Sequence, residues 1–181
     1  MGKRSNFERI DKDFYRTIDP RAVAALVPFL DAGSKFVEPF AGQGDLVDSL
    51  NAAGYGCRYA CELNPNENTP SWIEQKDAFD VIDLFGDPVI SNPPWTRSIL
   101  HKAIEHFGNQ VPSWFLFDSD WAYTKQAAPY LAKYCTDIIA VGRLIWIPGT
   151  TTSGFDNCSW YCFDAKKSEP TRFYGKGNSN E

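Results

Sequence analysis

No apolar run in this chain reaches the roughly 18 residues that a bilayer-spanning helix requires, so no membrane partner is expected. The opening Met1-Gly2-Lys3-Arg4-Ser5-Asn6-Phe7 is basic but lacks an apolar signal core. It superficially matches a myristoylation pattern, yet Asn6 stands where that pattern needs Ser or Thr. Cysteines are few and odd in number, five in 181 residues, which argues against a closed disulfide framework. Cys57/Cys61 and Cys158/Cys162 lie in strand-like runs, where positions i and i+4 share a face. Histidine is nearly absent, with two in the chain and neither near a cysteine pair, so no metal site is expected and the thiols read as core residues of a reducing compartment. Positive charge is short as well. Lys and Arg number 18 against 23 Asp and Glu, a net charge of −5. That balance disfavours a long duplex-tracking surface, because neutralising phosphates supplies most non-specific affinity. The basic residues that are present gather in Lys3, Arg4, Arg9, Lys12, Arg16 and Arg21, and again in Lys166, Lys167, Arg172 and Lys176. Solvated termini and phosphate contacts both account for them.

What the chain does have is 43% hydrophobic content, enough for one sizeable core and a single domain. Residues 1–16 read as a loose arm, 17–164 as the folded domain and 165–181 as a flexible tail. Asp19-Pro20 opens a helical pattern through Leu30, with Pro28 late in it or ending it. Lys35 to Glu38 is a strand. Asp45 is a candidate N-cap for an amphipathic helix that Gly54 stops. Strands follow over Tyr55–Cys61, Trp72–Lys76 and Pro88–Ser91, then a helix over Ser98–Phe107. Trp114–Phe117 reads as a strand buried on both faces, Gln126–Tyr134 as a helix, and Ile138–Val141 and Ser159–Phe163 as the closing strands. Alternating strands and helices imply an α/β, Rossmann-like doubly wound sheet.

Two motifs stand in register with those strands. Glu38-Pro39-Phe40-Ala41-Gly42-Gln43-Gly44 ends the first strand, and Asn92-Pro93-Pro94-Trp95 ends the fourth. In this order they resemble the class I S-adenosylmethionine-dependent methyltransferases that modify exocyclic amino groups. That family carries an acidic-Pro-x-x-Gly-x-Gly loop and an Asp/Asn/Ser-Pro-Pro-aromatic motif. The resemblance covers roughly residues 15–164 and implies seven strands, mostly parallel with the last one reversed. It also leaves no room for a separate target-recognition domain.

The residues themselves suit a cofactor with a carboxylate, an ammonium and a ribose diol. Gly42 and Gly44 permit a sharp turn, and the helix that follows offers its N-terminus. Glu38 is placed to accept from an ammonium. Glu62, at the end of the second strand, suits ribose hydroxyls. The resemblance adds Asp77 for an adenine amino group, with Ala78 and Phe79 beside the ring and Phe40 at the site. It also implies that Tyr15 and Thr17 form a short aromatic-x-Thr motif of the cofactor site, and that Asn92 borders that site. A dinucleotide site is the competitor, but a third Gly is missing after Gly44.

For the chemistry, Asn92 and the Pro93 carbonyl supply two acceptors for the hydrogens of a delocalised amine. Pro93 and Pro94 fix the backbone, and Trp95 offers a face for a flipped base. Arg97, Asp120, Trp146 and Asn157 are candidate substrate contacts. The resemblance favours adenine N6 in DNA as acceptor, in the manner of small stand-alone phage or prophage enzymes acting in a bacterial cytoplasm. An RNA adenine or guanine amine, a protein glutamine amide, and a catalytically silent binding module stay open, as does the oligomeric state.

Overall fold

A computed structural model describes residues 15–177. The myristoylation-like start and most of the expected N-terminal arm lie outside them. In chain order the elements are α1 (Pro20–Leu26), β1 (Lys35–Glu38), α2 (Asp45–Ala52), β2 (Gly56–Glu62), β3 (Glu74–Gln75), β4 (Val89–Ser91), α3 (Arg97–Gly108), β5 (Ser113–Asp118), α4 (Ala128–Lys133), β6 (Cys135–Gly142), β7 (Cys158–Phe163) and β8 (Arg172–Tyr174). The strands form one eight-stranded sheet, ordered β3-β2-β1-β4-β5-β7-β6-β8. Strands β3 to β5 pair in parallel, and β7 enters antiparallel between β5 and β6. The α/β doubly wound reading therefore holds, with the reversed strand where the resemblance implied one.

Side-chain alternation along the strands builds two cores, one on each face of the sheet. On β5, Trp114 and Leu116 join the core under α1 and α2, whereas Phe115 and Phe117 join the core under α3. Helix α3 presents Leu100, Ala103, Ile104 and Phe107 to that second core, all at 0% exposure. Their three- and four-residue spacing is the amphipathic signal visible in the sequence. Helix α1 is capped by Asp19, whose carboxylate accepts from Arg21 N at 3.1 Å. The α-helix stops at Leu26, and Pro28 falls in a 3-10 turn over Val27–Phe29.

Several sequence expectations are corrected. Residues 172–174 lie in the segment read as a flexible tail, but they form β8, paired in parallel with β6. Arg172 bonds Asp137 at 3.0 Å, and the Tyr174 ring meets Phe29 edge-on at 4.7 Å. Lys167 Nζ also donates to the Cys135 carbonyl at 2.7 Å. Among the described residues the strands thus number eight rather than seven. Cys57 and Cys61 do not share a face: Cys57 packs on the first core and Cys61 in the second. The cause is a bulge. Phe36 pairs with Cys57 and Val37 with Tyr59, so Arg58 is the extra residue and the alternation inverts across it. Cys158 and Cys162 do share a face. Gly44, not Asp45, is the N-cap of α2. The third strand is reduced to Glu74–Gln75.

Candidate functional site

Parallel pairing brings the C-terminal ends of β1, β2 and β4 to one rim. Chain order reverses between β1 and β4, the place where open α/β sheets form a crevice. A cleft of about 540 Å³ opens there. It is lined by Tyr15, Arg16, Thr17, Glu38, Phe40, Gly42, Glu62, Asp77, Ala78 and Asn92, together with Pro94. Of the expected cofactor residues only Gly44 is absent from the lining.

The floor is made by Glu38, which is 1% exposed. Ser91 Oγ lies 3.5 Å from its Oε1, while its buried Oε2 has no hydrogen-bond partner among the described residues. Burial raises its pKa well above the usual carboxylate range. The Ser91 bond opposes that shift, and the negative charges of Glu62 and Asp45 add to it. An orphaned buried oxygen at the base of a cleft calls for a donor, ideally a cationic one.

The glycine loop is held by a carboxylate. Gly42 N donates to Glu62 Oε2 at 2.9 Å, and Asn64 N to Glu62 Oε1 at 3.0 Å. Gly42 and Gly44 have φ of 54° and 86°, the left-handed region that Gly adopts without strain. A Cβ on Gly44 would stand 3.1 Å from the Trp72 ring, so this residue seats the loop against Trp72. Asp77 caps the turn that follows β3, accepting from Phe79 N at 2.9 Å. Lys102 of α3 sits 3.7 Å above the Phe79 ring at the same wall.

Asn92 follows β4 directly. Its Nδ2 donates to Thr17 Oγ1 at 3.1 Å and to the Tyr15 carbonyl at 3.3 Å. Its Oδ1 accepts from Trp95 Nε1 at 3.1 Å. The rings of Tyr15, Trp95 and Trp146 form a cluster with centroids 5.9 to 6.5 Å apart.

The expected substrate contacts disperse. Pro93 and Trp95 stand beside the cleft rather than in its lining. Arg97 pairs with Asp118 at 3.6 Å, at the end of β5. Asp120 is exposed in the turn that Asp118 caps. Asn157 is exposed too, and its carbonyl accepts from Ser119 N at 2.8 Å. Trp146 is buried at 8% exposure, with Gly154 so close that a Cβ there would meet its Nε1 at 2.9 Å. It backs Trp95 instead of facing outward. His101 accepts from Trp121 Nε1 at 3.1 Å and stacks on Tyr130 at 4.4 Å. Sequence reasoning missed the Arg16–Asp45 pair, in which two bonds of 2.7 Å cross the cleft from the segment before α1 to the first residue of α2. The partners are 29 positions apart, and no local pattern carries such a signal.

No protein-family model and no curated protein matches the chain. Solved structures do share its fold. A Listeria monocytogenes protein assigned as a class I S-adenosylmethionine-dependent methyltransferase superposes with a TM-score of 0.61 at 10% identity, over 97% of this chain and 69% of that one. A modification subunit assigned to a type I restriction enzyme of Vibrio vulnificus gives 0.58 at 12% identity, over 94% of this chain and 49% of its own. A dimethyladenosine transferase from Plasmodium falciparum gives 0.52 at 10% identity, over 83% and 62%. The shared feature is the Rossmann-like sheet with its reversed strand.

Proposed function

We propose that this chain is an S-adenosylmethionine-dependent methyltransferase acting on the exocyclic amino group of a nucleobase, with adenine N6 in DNA as the preferred acceptor. The observation that carries this reading is the juxtaposition in one cleft of the orphaned Glu38 carboxylate, the Glu62-clamped glycine loop and Asn92. The cleft fits the cofactor chemically. Glu38 Oε2 suits an ammonium, Glu62 retains lone pairs for a ribose diol, and Ala78 and Phe79 offer an apolar wall beside Asp77. When bound, S-adenosylmethionine supplies an electrophilic methyl group.

The chain's own residues prepare the acceptor. An amine conjugated to a ring is a weak nucleophile. Two acceptors on its hydrogens, Asn92 Oδ1 and the Pro93 carbonyl, pull it toward tetrahedral geometry and free its lone pair. Asn92 Oδ1 accepts from Trp95 with one lone pair and keeps the other for the amine. Between two prolines and a buried strand end, these acceptors need little reorganisation.

The test is tritium transfer from labelled S-adenosylmethionine to separate pools of single-stranded DNA, duplex DNA, RNA and protein, followed by nucleoside or amino-acid analysis. Label in N6-methyladenine from DNA is the expected result. It should vanish in Asn92→Ala while cofactor binding by calorimetry persists. Label confined to RNA or to glutamine would move the acceptor assignment to one of those alternatives. Full transfer by folded Asn92→Ala would remove the amine chemistry altogether.

A further inference from the structure

The side-chain amide of Asn92 is useful to an amine in only one of its two orientations. Turned one way it presents Oδ1, an acceptor; turned the other it presents NH2, which repels an amine's hydrogens. Rotation by half a turn exchanges them with almost no change of shape. Two one-way partners in this structure forbid the exchange. The Tyr15 carbonyl can only accept, so NH2 must face it, at 3.3 Å. The Trp95 indole N–H can only donate, so Oδ1 must lie on its side, at 3.1 Å. Thr17 Oγ1, 3.1 Å from Nδ2 and on a residue 5% exposed, takes the second amide hydrogen. The segment carrying these groups is itself tied down, by Arg16 to Asp45 at 2.7 Å and by Ile18 N to the Arg16 carbonyl at 2.9 Å.

We propose that the Tyr15 carbonyl, the Trp95 N–H and Thr17 are positioning groups for Asn92, the first two choosing the orientation of its amide and Thr17 holding it there, so that only Oδ1 is offered to the methyl acceptor. This rests on the amine-methyltransferase reading, and it gives Tyr15 and Thr17 a task other than the cofactor contact implied by the resemblance. It also commits this chain to Asn at a position where the motif admits Asp. A carboxylate there would set a second acceptor against the Tyr15 carbonyl.

The test compares Thr17→Val, Thr17→Ser and Asn92→Asp, each checked by thermal melting. Losing one such hydrogen bond should lower kcat of Thr17→Val about tenfold, with the acceptor KM and the cofactor Kd held within about twofold. Thr17→Ser keeps the acceptor and should stay near wild type. Asn92→Asp should fall further than Thr17→Val. Nitrogen-15 NMR supplies a readout free of turnover. The Asn92 NH2 signals, identified by their loss in Asn92→Ala, should shift and exchange faster with solvent in Thr17→Val. A raised cofactor Kd with unchanged kcat would make Thr17 a cofactor contact and overturn the proposal. So would wild-type kcat in Asn92→Asp, or Asn92 NH2 signals indifferent to Thr17→Val. If the wild-type protein transfers no methyl group to any pool, the function fails on its own, and the amide signals still decide whether the clamp exists.

Discussion

In the proposed function, Glu38 couples cofactor binding to pH. With its folded-state pKa raised by burial, the carboxyl holds its proton in the empty protein to a pH where an unfolded chain has released it. Its contribution to stability is therefore present at low pH and is lost as pH rises toward the folded-state value. A cation seated at Oε2 reverses the preference, so binding releases a proton and weakens as pH falls. Glu38→Gln should accordingly raise the melting temperature of the ligand-free protein at neutral pH. It should also weaken S-adenosylmethionine and flatten the pH dependence of its affinity. Calorimetry in buffers of different ionisation enthalpy reads the released proton directly. In the proposed function Trp95 has two roles, an aromatic face for the acceptor base and the observed N–H to Asn92. Trp95→Phe separates them. It should recover most of the stacking worth about 1–3 kcal/mol that Trp95→Ala forfeits, seen in KM, while a deficit in kcat remains.

Among elements, the glycine loop makes the clearest stability prediction. Gly42 and Gly44 both have positive φ, but only Gly44 has a neighbour where a Cβ would go. Gly42→Ala should cost about 1–2 kcal/mol of stability from the left-handed backbone alone. Gly44→Ala should cost more, since the Trp72 ring must also shift; thermal melts of both variants check the order. The elements most legible in the sequence were those with strong local pattern. Helix α3 was found within a residue of its ends, and β5 within one residue at each side, because apolar spacing and a continuous apolar run speak for themselves. Strand β8 has three residues, two of them exposed, and owes its existence to its pairing with β6, to Asp137 and to Phe29, all distant along the chain. The bulge at Arg58 is likewise a matter of pairing between strands, invisible to a count along one of them. The candidate site divides the same way. Glu38, Glu62, Asp77 and Asn92 could be placed because each ends or follows a strand. The clamp on Asn92 spans 75 and 77 positions and could not.

For the whole molecule, charge sets the terms of any nucleic-acid contact. The cleft carries Glu38, Asp45, Glu62 and Asp77, and its cations, Arg16 and Lys102, are engaged with Asp45 and the Phe79 ring. With a net charge of −5, few groups are left for phosphates. Nucleic-acid affinity should be modest and, with few counterions to release, fall only shallowly with salt, and the methylated target should have a short consensus or none. Titration across salt concentrations and sequencing of methylated DNA check this. A long, strictly required site, nanomolar binding, or a steep loss of affinity with salt would contradict it.

The placement of β7 has a consequence for the chain as it leaves the ribosome. Strands β5 and β6 are not neighbours; each pairs with β7, which is made after both. Synthesis through Gly142 therefore leaves β5 and β6 with open edges and nothing to join them. At a synthesis rate of about 5–20 residues per second, the gap to Phe163 lasts on the order of seconds. During that interval the edges are free to pair with another nascent chain. The entry of β7 thus closes the interior of the sheet, and its delay is a window for aggregation that follows from the strand order.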